Sequence, residues 1–397
     1  MSAIKGKYPR EFYILIFSSI TVFLAFETTV PILPLYVTNK GASTFEVGVI
    51  IGLLSFSLML FKIPLGFLSE RVSAKFVLAT SALVQSFCQL SYSLLPSIIW
   101  FYPLRVLHAV SIAAIVPLAI GKTQEFAPIG KTGETLGIFL TSYGVAITIG
   151  PFFCSSLLTL MSYSQVFQVA ALIPIFGLIP LMVSKNMTQL DRSAANKSRN
   201  LISSLNHIAN SRNLIILTFL RLSFAVTYGF FVIYFVLYAE DILLFSPALI
   251  ALLLGVRGAT DMSFRIPVGK FVDVVDDRVV IFTAFGILAF AYYLISELTE
   301  FIPLAIVMVI FGSSLGLRVV SEWNLLAKHS PPDARKVTAA YISTIFNIGS
   351  GIGAVLGGLL ATTVSIPDLF KLASLLMVFP LILVNFIQKN VQNMNES

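Results

Sequence analysis

Seven ionisable side chains lie deep inside long apolar stretches of this chain: Glu27, Arg105, Arg221, Arg257, Asp261, Arg318 and Glu322. A charge at the centre of a bilayer costs about 2.5–3.5 kcal/mol on insertion scales, so such residues are functional by default. Carboxylates in that setting can carry protons, and guanidinium groups can hold an anionic partner. Glu27 is the foremost of the set. Pro31, four residues later, deprives its carbonyl of a helical partner, so the helix is expected to loosen there, as broken helices at substrate sites do. At 1.5 Å per residue, Glu27 lies about 15 Å from the outer end of its helix and Arg105 about 10 Å from its own, so the two are expected to pair across a cavity. Desolvation favours the protonated form of a carboxylate and a guanidinium favours the ionised form. Switching between those surroundings would couple a proton to transport.

The remaining charges need partners of their own. Arg257/Asp261 and Arg318/Glu322 are spaced as i,i+4 pairs that cheapen each other's insertion. Arg221 has no partner on its own helix and needs a cross-helix acid, Asp261 or Glu322, or an anionic ligand. Asp261 joins Glu27 and Arg105 as a candidate proton-coupling residue. His108 is expected to be a hydrogen-bonded cavity or core residue. Lys62 and Arg265 lie near the ends of their runs and are expected to snorkel to the interface.

The elements that must carry these groups follow from composition. The 397 residues are 57% apolar and 11% charged, with mean hydropathy +0.92, whereas a soluble domain carries about 25% charged residues. Runs long enough to span a bilayer fall at 12–37, 44–66, 76–95, 98–121, 134–160 and 165–184, and again at 213–238, 246–268, 279–297, 301–327, 336–362 and 367–388. In lipid the backbone must satisfy its own hydrogen bonds, so these runs are helices; no alternating ten-residue segments of a β-barrel occur. The expectation is an all-α membrane protein of twelve transmembrane helices, numbered here as spans 1–12. Residues 1–184 form one six-helix bundle, 185–212 a polar central loop and 213–397 a second bundle. The first run, behind Lys5, Lys7 and Arg10, is too long for a secretory signal and is read as a retained span. With the amino terminus inside, eighteen of the 26 Lys and Arg fall in cytoplasmic segments and two, Lys40 and Lys371, outside. That bias places both termini in the cytoplasm, with the plasma membrane as the expected location. It also accounts for the net charge of +7 without nucleic acid. The sequons at Asn186 and Asn196 then face the cytoplasm and go unused. Cys88 and Cys154 are expected to be buried apolar side chains.

The two halves repeat. Phe61-Lys62-Ile63-Pro64-Leu65-Gly66 recurs as Phe264-Arg265-Ile266-Pro267-Val268-Gly269, an offset of 203 that also sets Glu70 on Asp273 and Gly150 on Gly353. Parallel six-helix repeats are an architecture of secondary transporters. Between spans 2 and 3, Gly66-Phe-Leu-Ser-Glu70-Arg71-Val-Ser73-Ala-Lys75 resembles the loop signature of the major facilitator superfamily, Gly-x-Leu-x-Asp-Arg-x-Gly-Arg-Arg/Lys, with Glu70 for Asp and Ser73 for Gly. Arg105, His108 and Ala109 resemble the family's span-4 motif. Gly137, Ala146, Gly150, Pro151, Cys154 and Ser155 fall in register with the span-5 motif associated with exporters, small residue replacing small. The resemblance covers the whole chain and is nearest to the twelve-span drug:proton antiporters. It implies that spans 1, 4, 7 and 10 line a central cavity while 3, 6, 9 and 12 face lipid. It implies a cytoplasmic latch built on Gly66, Glu70, Gly269 and Asp273, with Arg71 paired to Glu125.

Gly121-Lys122-Thr123 and Gly130-Lys131-Thr132 end like a phosphate-binding loop, but Val116 and Glu125 stand where its first glycine belongs. No cofactor, metal or nucleophile–base pair is called for, so an enzyme is not expected. The reading is a monomeric secondary transporter working by alternating access and exporting a small organic compound against protons. The runner-up is proton-coupled uptake of an anionic metabolite.

Overall fold

The computed structural model describes residues 8–69, 71–128, 131–184, 201–272, 275–331 and 335–388. They are helical almost throughout, with no strand among them. Span 1 is α1 (Arg10–Thr29) and α2 (Leu33–Asn39), span 2 is α3 (Thr44–Ser69) and span 3 is α4 (Ala74–Leu94). Span 4 is α5 (Phe101–Ala113) and α6 (Ile115–Phe126), span 5 is α7 (Thr132–Leu158) and span 6 is α8 (Tyr163–Val183). A connecting helix, α9 (Leu201–Asn210), occupies the end of the polar segment read as loop. Spans 7 to 12 are α10 (Arg212–Asp241), α11 (Pro247–Phe271), α12 (Asp277–Glu297), α13 (Phe301–His329), α14 (Arg335–Leu360) and α15 (Ile366–Val384). Sharp starts come from serine caps: Ser73, Ser211, Ser246 and Ser365 each accept from the backbone N–H three residues on.

Two inner spans with a proline in mid-membrane are broken. Span 1 opens at Val30–Ile32, with Ile32 N–H donating to the Thr29 carbonyl at 3.3 Å, as Pro31 requires. Span 4 is interrupted at Ala114, three residues before Pro117, for the same reason: a proline supplies no N–H to the carbonyl four residues back.

Eleven of the helical segments are long and apolar enough to cross a membrane by themselves. The twelfth, α4, carries Gln85 and Gln89, which lower its hydropathy, yet both are fully buried while Phe76, Leu83, Phe87, Leu90 and Leu94 point outward. Its polarity is internal, and its outer face is as oily as its neighbours'. The buried share of spans 1, 4, 7 and 10 is 67%, 50%, 78% and 61%, whereas none of the other seven segments exceeds 44%. The four inner helices are thus the ones the resemblance named.

Within the first half α1 packs on α7 and α8, α3 on α5, and α4 on α8; within the second, α10 packs on α14, α11 on α13, and α12 on α15. The halves meet along two seams, α3 against α14 and α7 against α11. At the end of the bundle carrying the short loops the halves are bonded: on the α7–α11 seam Ser155 Oγ donates to the Ala248 carbonyl at 2.8 Å, and from α8 to α10 the Tyr163 hydroxyl donates to Glu240 at 3.0 Å. Backbones touch where glycine lets them. A Cβ on Gly353 would collide with the Val226 carbonyl oxygen, and one on Gly150 would lie 2.6 Å from Glu27 Cβ.

Gly353→Val forces α10 and α14 apart, so the purified protein should melt several degrees lower, in line with an overpacking cost of about 1–3 kcal/mol. Gly286→Ala, where an added Cβ meets nothing within 4 Å, should melt unchanged or slightly higher. Equal losses in both would show that the close approach is not what holds the pair.

Candidate substrate and proton site

Glu27, Arg105, His108, Arg257, Asp261, Arg318 and Glu322 are all buried in the protein, with Arg221 next to them. None turns to lipid. Glu27 ends the last full turn of α1 before the break, its backbone pressed against Gly150 of α7. The Tyr143 hydroxyl of α7 donates to Glu27 Oε1 at 3.5 Å, the outer limit of a hydrogen bond.

The expected Glu27–Arg105 pair is not formed. Arg105 turns to span 2, where Nε donates to the Ile50 carbonyl at 3.2 Å and Nη2 to the Ile51 carbonyl at 3.3 Å. Similar depth on two helices does not fix which face each residue occupies, and Arg105 faces α3. The cation whose charge reaches Glu27 is Arg257, on α11 of the opposite half. Glu27 therefore feels a charge from across the seam between the halves.

Arg257 and Asp261 do not pair with each other either. Asp261 is clamped by Arg265, with Nε to Oδ1 at 3.0 Å and Nη2 to Oδ2 at 2.9 Å. An acid placed four residues before a base is the better orientation on a helix, so Asp261 selects the arginine after it. Arg265 consequently does not snorkel. Arg257 is left to donate from Nη1 to the Tyr228 hydroxyl at 2.9 Å, its guanidinium over the Tyr228 and Phe231 rings. Lys62 does not snorkel either: its Nζ crosses the other seam to Ser343 Oγ at 2.5 Å.

On the second half, Glu322 lies between two arginines. Oε2 accepts from Arg221 Nη1 at 2.7 Å and forms an ion pair with Arg318 Nη1 at 2.5 Å, so the cross-helix acid that Arg221 needs is Glu322. Arg318 lies over the Phe224 ring at 3.4 Å, and Arg221 over Phe346 at 5.1 Å. Phe224, Tyr228 and Phe346 form one aromatic group, so three guanidinium groups deck a shared aromatic floor.

The first half answers with neutral groups. Gln89 Nε2 donates to the Ala25 carbonyl at 2.9 Å and to Thr29 Oγ1 at 3.0 Å, bracing the broken end of α1. Ser111 Oγ donates to Gln85 Oε1 at 2.7 Å, and the Tyr92 hydroxyl sits 3.2 Å from His108 Nδ1. Tyr143, Tyr228, Gln85 and Gln89 escaped the sequence reading because only charges were tracked. Two glutamines in an otherwise apolar run were the available signal.

The loop signature is partly visible. A Cβ on Gly66 would meet Pro117 at 3.5 Å, an ordinary van der Waals contact. Gly269 has open space around it. Arg71 is exposed, and Glu125 is bound by Lys122 at 2.7 Å. Glu70 and Asp273 lie outside the described residues. In the span-5 motif, Gly150 is the tight contact with Glu27, Gly137 meets nothing within 4 Å, and Ala146 and Cys154 are fully buried. Pro151 lies within the continuous α7, and Ser155 bonds the opposite half.

The profile of the Major Facilitator Superfamily matches residues 15–256 and 222–394. An MFS-type transporter of Methanocaldococcus jannaschii is 25% identical over 385 residues, covering 93% of this chain and 96% of that protein. The multi-drug resistance efflux pump PmrA of Streptococcus pneumoniae is 24% identical over 370 residues, 90% and 91% of the two chains. Among solved structures the nucleoside transporter NupG superposes with TM-score 0.76 at 12% identity, covering 96% of this chain and 98% of that one. The chain belongs to the Major Facilitator Superfamily. It is a multi-pass membrane transporter, not an enzyme.

Glu322→Gln leaves Arg221 and Arg318 buried without a countercharge, and breaking such a cluster costs about 3–5 kcal/mol. The variant should show a marked fall in melting temperature, and Glu322→Gln/Arg318→Gln should regain part of it. Glu322→Gln melting like the parent would mean that the triad carries no net stabilisation.

Proposed function

We propose that this transporter exports a small organic compound in exchange for protons, alternating access between the two faces of the plasma membrane with both termini in the cytoplasm. The observation that carries this reading is Glu27: a carboxylate at a helix break, at the meeting of the halves, with a tyrosine of its own half on one side and the charge of Arg257 on the other. A carboxylate shut away from water keeps a proton, and one that faces a guanidinium gives it up. Rocking one half against the other changes the separation of Glu27 and Arg257, so each swing changes how tightly the proton is held. Arg257 takes the partner's role first assigned to Arg105. Asp261, held by Arg265, offers a second carboxylate on the opposite half. The efflux activity named for the pneumococcal relative and the small-residue motif of span 5 support the outward direction.

Reconstituted into vesicles with an imposed pH gradient, the parent should move substrate against protons. Glu27→Gln should lose flux driven by the gradient while keeping substrate exchange; full coupled transport by this variant would remove Glu27 from the mechanism. For orientation, the exposed Lys40 and Lys131 serve as markers. On intact cells a membrane-impermeant maleimide should label Lys40→Cys and leave Lys131→Cys unlabelled, the native Cys88 and Cys154 being buried. The opposite pattern would invert the topology and with it the direction of export.

A further inference from the structure

We propose that the cargo is an organic anion with a flat apolar body, its acidic group held by Lys62, Arg221 and Arg318 and its body packed beside the aromatic group of Phe224, Tyr228 and Phe346. The inference rests on the transporter reading above, because Arg318 and Glu322 are buried and a ligand reaches them only when the halves separate. It starts from an imbalance of charge. Three cations converge near the α3–α14 seam: Arg221 and Arg318 share the carboxylate of Glu322, and Lys62 bonds Ser343, one turn of α14 before the Phe346 that Arg221 covers. Lys62 has a neutral hydroxyl, Ser343, as its hydrogen-bond partner. Asp261 is already held at both oxygens by Arg265. One carboxylate against three cations leaves two positive charges in excess, in a setting where unpaired buried charge is costly.

The donors are also under-used. Arg221 Nε and Arg318 Nε are buried and donate to nothing among the described residues, although Arg318 is only 2% exposed. A guanidinium presents its donors in a planar fork that suits carboxylate, sulfonate or phosphate oxygens. The third element is apolar. Phe224 lies under Arg318 and Phe346 under Arg221, with the two rings stacked 6.2 Å apart. Ring edges next to cationic heads suit a ligand with an aromatic body and an anionic end. A cationic compound would meet like charge at every one of these heads.

The test uses the full chain purified in detergent and two probes of one shape and opposite charge, 2-naphthoate and naphthalen-2-ylmethylammonium, with binding read by equilibrium dialysis. The parent should bind naphthoate at least tenfold more tightly than the ammonium, and Lys62→Gln and Arg221→Gln should each weaken naphthoate by about tenfold, the worth of one charge-assisted hydrogen bond. Equal or tighter binding of the ammonium, no binding of naphthoate, or naphthoate affinity unchanged in both variants overturns the proposal. If a variant fails to fold, the parent's preference between the two probes decides. Vesicle flux separates this proposal from the reading beneath it. Movement of the ammonium against protons would keep the antiporter and discard the anion site. Naphthoate binding with the expected selectivity, but no substrate moved by a pH gradient, would keep the site and discard proton coupling.

Discussion

A buried charge in a bilayer has nowhere to go except against another group of the same protein, and the interior of this chain is arranged around that constraint. Each ionisable head deep in the bundle is placed against a carbonyl, a hydroxyl, a ring face or an opposite charge, contributed by a neighbouring helix or, for Asp261, by its own. Those contacts are possible because the backbones come close: Gly150 against Glu27 and Gly353 against Val226 leave no room for a side chain. Close packing and charge burial are therefore one design. The glycines bring the helices together, and the helices then supply the partners that make the charges tolerable.

The two halves solve the problem differently. The second half buries charge against charge, in the Arg221–Glu322–Arg318 group and the Asp261–Arg265 clamp. The first half relies on glutamine, serine, tyrosine and histidine around the broken end of α1. Neutral networks can reorganise without a large electrostatic penalty, whereas a charge triad resists it. Span 1, broken at Pro31 and braced by Gln89, is accordingly the element suited to change shape, and the triad the element suited to stay fixed and recognise. Glu27 sits where the two regimes meet.

Much of the fold was legible in the chain because membranes leave few options: the apolar runs, the break after residue 184 and the repeat of Phe61–Gly66 at Phe264–Gly269 follow from elementary patterning. The inward placement of the charged residues was legible too, since lipid would not accept them. Pairings were not. Depth along a helix can be counted, but the face a residue presents depends on how helices rotate against one another, and so Arg105 went to the carbonyls of Ile50 and Ile51 instead of to Glu27. Asp261 was assigned to the wrong arginine although the sign of the i,i+4 rule already favoured Arg265. Nearness to a helix end points Lys62 and Arg265 to the interface, but the seam between the halves offers Lys62 a partner in Ser343, and α11 itself offers Arg265 one in Asp261. The glutamines of α4 were overlooked because neutral polar groups stand out weakly against an apolar background.

The central claim is that Glu27 and Arg257 sense each other across the seam between the halves. A double-mutant cycle measures that directly: thermal stabilities of the parent, Glu27→Gln, Arg257→Gln and the double variant in one detergent. The account predicts a coupling energy above about 0.5 kcal/mol, with the double variant less destabilised than the sum of the singles. Additivity within that margin would mean that the two groups do not interact, and the coupling across the seam would have to be abandoned.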